Sequence, residues 1–436
     1  MKIKLFFIIL ALNFFSYAET LDKLSLSEDL FDTSNEDFIS IYAPTLAFRY
    51  SSKDKESARS NLGALRFLKM KTDEVIVKFK NEKISEVKIM LYNKGDAGTM
   101  VGRGFSFNKI SKAKFEDMIE NATKKINVFL NIKKPKKLSR STAQKTAAKR
   151  YTHYWVKGKT LFLLEWSGDK IKPQGGGRKV YMAEYLRVRL KPYTGKSSIT
   201  KLDKIAKIRK KDTKANLVHD ENGDIYIKHI PMVDQGPKGY CVAAAVSRVL
   251  QYYGRNTDMH EVAKVAKTTA GGTGPEEIYN ALKKIRTRMG LSLEAPIKFD
   301  NKDFLKMIKD YNRMAKRKKE RQVSAYGFSV FEQMDLDILM EAKLKRKTRY
   351  DKFKNNIYKH IKTGTPLAWT LIIMFPEQNF PQASFSGHMR LITGYNKKTD
   401  MVIYSDTWGA GHEKKEMSMK KAFTSTTGLY ILKLKN

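Results

Sequence analysis

The stretch PMVDQGPKGYCVAAAVSRVLQYYG, residues 231–254, joins a loop rich in glycine and proline to an apolar segment. Apolar residues recur at helical spacing from Val242 to Tyr253, and Gly254 follows as a stop signal. The pattern predicts a buried helix that begins at Cys241. At such a position the helix dipole and free backbone N–H groups lower the pKa of a thiol. The stretch therefore predicts a reactive cysteine, although a free cysteine is also often an inert, buried apolar residue.

Two segments near the end of the chain bring further polar residues together. Residues 386–396 form a predicted strand entered through Gly387, with His388 at its start, and residues 401–405 form a strand that ends at Asp406. The four residues 397–400 between them predict an antiparallel pair. In that pair His388 comes opposite the end of the other strand, so we expect an imidazole beside a carboxylate.

These residue types match the four tasks of thiol catalysis. A thiol becomes an effective nucleophile when a base takes its proton and the imidazolium stays close, which suits Cys241 and His388. A third polar side chain holds the imidazole in its orientation, which suits Asp406. A donor must face the oxyanion that forms on the attacked carbonyl, and the amide of Gln235 can provide it.

The cysteine segment resembles that of papain-like cysteine peptidases. Gln235, five intervening residues and then Cys241 at a helix start are similar to the oxyanion glutamine and the nucleophile of that clan. Gly387-His388 at the start of a strand resembles its catalytic histidine segment. The resemblance covers about residues 225 to 436, and Gly239 and Gly387 count among the positions that support the site.

The segment Asp406-Thr407-Trp408-Gly409 resembles the Asn-Ser-Trp-Gly motif of the same clan, in which the tryptophan shields the orienting residue. Asp in place of Asn, with Gly-His and Gly-Tyr around the histidine strand, is closer to the C39-like branch. The resemblance implies an α+β, papain-like domain, in which a helix carrying the cysteine packs on an antiparallel sheet carrying His388 and Asp406. It also implies a cysteine peptidase that hydrolyses peptide bonds through a thioester intermediate.

Two other functions stay open on the sequence. The same fold could carry acyl transfer, as in transglutaminase-like or amidase relatives. A basic cell-surface binding protein with an inactive site is the alternative from a different class. The long basic insertion between Cys241 and His388 is not part of the basic pattern of the clan, and a lid or a docking arm is the expectation for it.

The chain has 436 residues, which predicts two or three domains. Residues 1–18 have the basic start, the apolar run and the small-residue cleavage pattern of a secretory signal, so we expect export to the periplasm or the medium. Residues 19–215 are expected to form an α+β domain of unknown role, with a basic, exposed link near 133–150. Residues 216–436 are assigned to the peptidase domain, with a basic helical insertion near 300–360.

Within the N-terminal part, residues 75–80 and 84–92 predict a hairpin, and residues 112–129 have the spacing of an amphipathic helix. Further strands are expected at 154–156, 160–166 and 180–190, with a turn at 175–177. In the C-terminal part, Thr273 and Glu276 predict a capping box for the helix that follows.

Lysine and arginine number 84 against 45 acidic residues, a formal net charge of +39. This charge suits anionic cell-surface polymers through long-range attraction. Few aromatics are interleaved with the basic runs, so no specific nucleic acid is expected, and no membrane span is expected after signal removal.

A single cysteine excludes an intramolecular disulfide framework. The histidines lack metal-ligand spacing, so no metal and no cofactor are expected, and His260 and His412 are expected to be surface residues. The partner implied by the resemblance is a peptide or protein substrate.

Overall fold

The computed structural model describes residues 21–101, 104–107, 110–138, 147–171, 178–200, 202, 208–255, 257–324, 327–376 and 385–435. The expected signal segment and the expected turn at 175–177 lie outside the described residues. The chain divides into two compact units: one contains the described residues up to position 204 with Thr269–Gly271, and the other contains the remaining described residues. Both units combine helices with antiparallel sheets, so the mixed α+β class is present.

The N-terminal unit contains twelve described strands and, besides the helical residues 21–26, three further α-helices. The strands are β1 Arg49–Tyr50, β2 Ser57–Ser60, β3 Arg66–Phe67, β4 Met70–Lys71, β5 Glu74–Lys80, β6 Lys83–Asn93, β7 Gly98–Val101, β8 Gly104–Phe107, β9 Lys136–Lys137, β10 Tyr151–Lys157, β11 Thr160–Ile171 and β12 Val180–Pro192. The helices are α1 Asn35–Leu46, α2 Lys112–Leu130 and α3 Lys196–Thr200. Eight strands form one antiparallel sheet in the order β1-β2-β5-β6-β12-β11-β10-β9.

The predicted hairpin and the predicted helix of this unit are confirmed. β5 and β6 are joined by Asn81 and Glu82, both at positive φ, which is the conformation of a two-residue hairpin turn. α2 begins after Ser111, whose hydroxyl accepts the backbone N–H of Lys114, and its buried face packs on the sheet. The three strands expected further along are also present, as β10, β11 and β12.

The basic stretch near 133–150 exposes Lys133, Lys134, Lys136 and Lys137, as expected, but two of its described features differ from a free link. β9 pairs with β10 and so belongs to the sheet edge. The side chain of Arg150 is only 3% exposed, because it forms an ion pair with Glu165. Arg150, at the end of this basic run, therefore faces inward, because the buried carboxylate of Glu165 needs a charged partner.

The C-terminal unit contains eight described strands and eight described helices. The strands are β13 Leu217–His219, β14 Asp224–Ile227, β15 Leu291–Ile297, β16 Leu367–Ile372, β17 Gly387–Asn396, β18 Met401–Ser405, β19 Lys415–Ser418 and β20 Thr426–Leu434. The helices are α4 Lys210–Lys214, α5 Cys241–Tyr252, α6 Met259–Val265, α7 Pro275–Met289, α8 Asn301–Arg317, α9 Leu336–Leu344, α10 Lys347–Ile361 and α11 Met419–Ser425. Six strands run in the order β13-β14-β17-β16-β20-β15, while β18 pairs with β17 and β19.

Helix α5 is the central helix of this unit. It begins at Cys241 and ends before Gly254, which has φ +69°, and it packs against β16 and β17. Eleven of its twelve residues are buried, and full burial of each Val or Leu contributes about 1.5–3 kcal/mol. This burial holds the first turn of the helix rigidly against the sheet.

Gly394 lets β14 approach β17 closely. A Cβ at this position would lie 2.5 Å from the carbonyl oxygen of Ile225 and 2.6 Å from Cβ of Tyr226. Any side chain here would push the two strands apart, so glycine is required for their pairing. The pairing keeps β17, and with it His388, in register with the neighbouring strands.

The predicted capping box of α7 is wrong. Gly274 occupies the N-cap and Pro275 the first helical position. The hydroxyl of Thr273 instead lies 2.7 Å from the hydroxyl of Thr268. Proline suits this position because its fixed φ is already that of a first helical turn.

The insertion near 300–360 is helical, as expected, and contains α8, α9 and α10 with a 3₁₀ turn at Phe328–Gln333. Helix α8 buries Met307, Tyr311 and Met314 and exposes its lysines. Among the described residues, no helix combines the length and the apolar character needed to cross a membrane.

Candidate active site

Cys241 is the first residue of α5 and follows an irregular loop that includes Gly239. Its side chain is buried, with 8% exposure. The backbone N–H groups of Val242 and Met389 both donate to the sulfur. The start of the helix and the histidine strand therefore direct three favourable groups, two N–H dipoles and the helix dipole, toward the thiol.

His388 lies near the start of β17, and its ring is hydrogen-bonded on both sides. Nε2 lies 2.6 Å from Oδ1 of Asp406. Because Nε2 is occupied by the carboxylate, Nδ1 is the nitrogen that remains for the hydrogen bond between the ring and Cys241. The imidazole thus connects the thiol to the carboxylate.

The thiol and the imidazole form a coupled pair. Burial raises the pKa of Cys241, but the hydrogen bond and the charge of His388 outweigh burial, and the pKa lies below its ordinary value. Burial lowers the pKa of His388, but the charge and the hydrogen bond of Asp406 outweigh it and raise the pKa to about 9. Opposite shifts in two contacting groups favour a thiolate–imidazolium ion pair at neutral pH.

Asp406 directly follows β18 and is fully buried. Its Oδ1 accepts the backbone N–H of Thr407 at 2.7 Å in addition to the bond with His388. Burial raises the pKa of this carboxyl, but the charges of His388 and Arg390 outweigh burial and hold the pKa well below its usual range. The carboxylate is therefore a fixed anion at every pH at which the protein would work.

Arg390 is a member of the site that the sequence analysis missed. Its Nε–H donates to Oδ2 of Asp406 at 2.5 Å, and its side chain is completely buried. Its guanidinium lies 4.7 Å from the ring centroid of Tyr404 and 5.5 Å from that of Trp408. An arginine in the middle of an otherwise apolar strand, two residues after His388 and hence on the same face, was the signal that could have indicated it.

Trp408 covers the imidazole. Its ring stacks on His388 with centroids 4.6 Å apart and an interplanar angle of 22°. The chain can turn there because Gly409 adopts φ +83°, a conformation that favours glycine. The indole thus screens the hydrogen bond between His388 and Asp406 on one side.

Gln235 lies in the loop before α5, and both ends of its amide are held. Oε1 accepts the hydroxyl of Thr407 at 2.6 Å, while Nε2 donates to the carbonyl of Lys238 at 2.8 Å. Because a carbonyl can only accept, these two bonds settle which end of the amide carries the nitrogen. Thr407, which the sequence analysis quoted only as part of a motif, thus orients Gln235.

Arg248, on the third turn of α5, joins three segments. Its guanidinium donates to the carbonyl of Pro231 at 2.8 Å, the carbonyl of Asp406 at 2.6 Å and the hydroxyl of Ser405 at 2.6 Å. Burial lowers its pKa to about 10, although the charge of Asp406 opposes that shift. A single buried cation therefore holds the cysteine helix, the loop before it and the carboxylate turn together.

Three further expectations concern Gly387, His260 and His412. Gly387 begins β17 and is exposed, and a Cβ there would make ordinary contact with the ring of Phe328, 3.5 Å away.

The expectation that His260 lies on the surface is wrong: it is 1% exposed and contacts the ring of Tyr240, 5.5 Å away. α6 packs against α5, so the face that carries His260 is covered. His412 is half-buried and packs edge-on against Trp408. Among the described residues, no group of three His, Cys, Asp or Glu side chains is placed to hold a metal ion.

The chain is similar to a known peptidase family and, among solved structures, to a peptidase domain. The model of the Peptidase_C39 like family matches residues 227–430. The peptidase domain of Streptococcus ComA, a bi-functional ABC transporter involved in a quorum sensing pathway, is 17% identical; the match covers 48% of this chain and 100% of that chain, with a TM-score of 0.25. No protein with a curated description matches the chain. The match to the family model confirms the resemblance of the C-terminal half of this chain to C39-like peptidases of the papain-like clan.

Proposed function

We propose that the C-terminal half of this chain is a thiol peptidase that hydrolyses peptide bonds. One observation carries the proposal: a continuous hydrogen-bonded series runs from the Cys241 thiol through His388 to Asp406. Nucleophile, base and orienting group stand in the order that thiol catalysis requires. The match to a peptidase family over residues 227–430 supports the choice of an amide substrate.

The proposed reaction begins with the thiolate of Cys241 attacking the carbonyl carbon of a peptide bond. The carbonyl oxygen becomes an oxyanion, which accepts hydrogen bonds from the backbone N–H of Cys241 and from the second N–H of the Gln235 amide. The tetrahedral intermediate collapses to a thioester as His388 gives its proton to the leaving amine. The substrate in this proposal is a peptide or protein segment.

The second half of the reaction regenerates the enzyme. His388, now neutral, takes a proton from water, and the resulting hydroxide attacks the thioester carbonyl. The carbon–sulfur bond breaks, the carboxylic acid product leaves, and Cys241 is again a thiolate beside a protonated His388. Asp406 keeps its charge throughout and stabilises the imidazolium whenever it forms.

Covalent labelling tests the proposal. We expect one adduct by intact-mass analysis when the folded wild-type protein is treated with an epoxide inhibitor of the E-64 type. Cys241→Ala removes the only thiol, and His388→Ala keeps the thiol but removes its base, so neither should be labelled within the same time. Equal labelling of His388→Ala and wild type would contradict the proposed pair, and a folded wild type that stays unlabelled would contradict the peptidase. Export, expected from residues 1–18, remains a prediction.

A further inference from the structure

A cavity of about 240 Å³ lies in the basic insertion and the strands beside it. Four aromatic side chains, called here the aromatic lining, contribute to its wall: Phe299, Phe304, Phe331 and Phe423. Five cations, called here the cationic lining, contribute as well: Lys298, Lys343, Arg346, Arg349 and Lys352. Ligand pockets for drug-sized molecules usually measure about 300–1,000 Å³, so this cavity suits a group of one or two amino-acid residues.

The charges around the cavity are not balanced by its own carboxylates. Two of the five cations are already paired, Arg349 with Asp303 and Arg346 with Asp310, and Asp300 accepts the backbone N–H groups that cap α8. Among the described residues, Lys298, Lys343 and Lys352 have no carboxylate partner. An anion that entered the cavity would therefore meet uncompensated positive charge.

Lys343 shows this imbalance most clearly. Its ammonium group donates to the carbonyls of Thr424 at 2.7 Å and Thr426 at 3.2 Å and lies 5.6 Å from the ring centroid of Phe423. Burial, together with the charges of Arg346 and Arg349, lowers its pKa to about 7. Lys343 is therefore only partly protonated at neutral pH, and an anionic ligand beside it would favour the ammonium form.

A single ring separates the aromatic lining from the histidine strand. Phe328 lies against Gly387, directly before His388, with its ring carbon 3.5 Å from where a Cβ of Gly387 would stand. The same ring contacts Phe299, Phe304 and Phe331 at centroid distances of 5.7, 6.1 and 6.3 Å. A peptide extended along the start of β17 can thus reach the cavity within a few residues.

We propose that this cavity is a substrate subsite that takes an apolar, preferably aromatic, side chain together with an adjacent carboxylate of an acidic peptide. The aromatic lining receives the ring and the cationic lining receives the carboxylate. The proposal rests on the proposed peptidase function, because the bound peptide is a substrate only if the protein cleaves it. Binding to the cavity is nevertheless a separate property. It can therefore be tested without catalysis.

The test is isothermal titration of the full-length Cys241→Ala variant with four small peptides at fixed ionic strength. The probes are N-acetyl dipeptide amides: Phe-Glu, Phe-Gln, Ala-Glu and Ala-Gln. We expect Phe-Glu to bind about tenfold more tightly than Phe-Gln, a difference of about 1.4 kcal/mol, because the carboxylate forms charge-assisted hydrogen bonds that the neutral amide cannot form. A similar loss is expected for Ala-Glu, because the aromatic lining is then unfilled.

Two matched variants locate the binding. Lys352→Glu reverses a charge of the cationic lining and should weaken Phe-Glu binding about tenfold while leaving Phe-Gln binding nearly unchanged. Lys309→Glu makes the same charge change at an exposed position of α8 that does not line the cavity, and it should change the binding of neither peptide. Equal weakening by both variants would show general charge attraction and would overturn the subsite.

The remaining outcomes separate the two proposals. Equal binding of Phe-Glu and Phe-Gln, or binding of neither, would overturn the subsite even if the epoxide labels Cys241. Displacement of Phe-Glu by inorganic phosphate as effectively as by Phe-Glu itself would show a simple anion site and would also overturn it. If the protein binds Phe-Glu selectively but is not labelled by the epoxide, the cavity is supported as a peptide-binding site and the proposed peptidase activity is contradicted.

Discussion

Arg390 donates its Nε–H to Oδ2 of Asp406, the carboxylate oxygen that His388 leaves open. Both side chains of this pair are completely buried. The carboxylate therefore has a cation on each oxygen, a fixed arginine on one and an imidazole that changes its charge during the proposed reaction on the other. The arginine helps to keep Asp406 ionised when His388 is neutral, because its charge lowers the pKa of the carboxyl independently of the imidazole.

Arg390→Met should destabilise the protein strongly. Removal of one partner from a buried pair costs about 3–5 kcal/mol because it leaves an uncompensated charge. We expect the thermal unfolding midpoint of the C-terminal unit to fall by roughly 10 °C. Arg349→Met is the matched control: its pair with Asp303 is about half exposed, so its loss should cost about 1 kcal/mol or less. Midpoints that fall equally in both variants would contradict this view of Arg390.

The pH dependence of peptide hydrolysis should follow the coupled Cys241–His388 pair. The lowered pKa of Cys241 keeps the thiolate as the pH falls below the ordinary thiol range. The pKa of His388 is raised to about 9, so the imidazolium is present below that pH and is lost as the pH rises through it. We therefore expect activity at neutral pH and a decline near pH 9, with both limbs belonging to the pair rather than to one residue.

Asp406→Asn tests the cause of that alkaline limb. The charge of Asp406 is the largest influence that raises the pKa of His388, so its removal should move the decline to lower pH. Initial rates between pH 5 and pH 10 measure the shift. An alkaline limb that stays near pH 9 in Asp406→Asn would show that another group controls it.

Thr407→Val should impair turnover without preventing labelling of the thiol. The substitution keeps the volume but removes the hydroxyl that donates to Oε1 of Gln235. The amide then loses its orientation, and we expect kcat to fall about tenfold with little change in KM. Gln235→Ala should lower kcat by about 10²–10³-fold, the usual cost of an oxyanion donor.

The rate of Cys241 alkylation by iodoacetamide distinguishes this positioning role from general damage. Thr407 and Gln235 do not contribute to the lowered pKa of the thiol, whose causes are His388 and two backbone N–H groups. Alkylation should therefore proceed at the wild-type rate in both variants. A parallel loss of alkylation and turnover would indicate a disturbed fold instead.

Arg248→Met should disturb the thiol from a distance. Arg248 donates to three acceptors on two segments, and its loss leaves the carbonyls of Pro231 and Asp406 and the hydroxyl of Ser405 without this donor. Each unsatisfied buried polar group costs about 1–3 kcal/mol. We expect a lower unfolding midpoint together with slower alkylation of Cys241, because the helix start no longer keeps its place beside His388.

Arg255→Met is the control for Arg248. Arg255 follows the same helix and also donates to backbone carbonyls, but those of Tyr253 and Met289 lie outside the loop at Pro231 and the turn at Asp406, and its side chain is only half-buried. Its substitution should lower the unfolding midpoint less and leave the alkylation rate unchanged. An alkylation rate that is the same in Arg248→Met as in wild type would contradict the linking role.

Much of the local structure could be predicted from periodicity and composition. The helix after Cys241, the strands around His388 and the hairpin of β5 and β6 all appear where their patterns indicated. Each of these elements is determined by residues close together in the chain, so a short stretch of sequence is enough to predict its secondary structure. The helical insertion was predicted for the same reason. The cap of α7 was not, because Gly274 occupies the N-cap and the hydroxyl of Thr273 lies beside that of Thr268 instead.

The sequence by itself determined which reactive groups this protein carries and on which elements they stand: a thiol at a helix start, an imidazole at a strand start and a carboxylate at a strand end. Only the tertiary structure decided how those groups are held. Arg248 and Asp406 are 158 residues apart in the sequence, and Gln235 and Thr407 are 172 residues apart, so no local sequence pattern predicts either contact. Arg390 is close to its partner in the chain, but burial decided its role, because a charged group is retained inside a protein only where the fold brings an opposite charge to it.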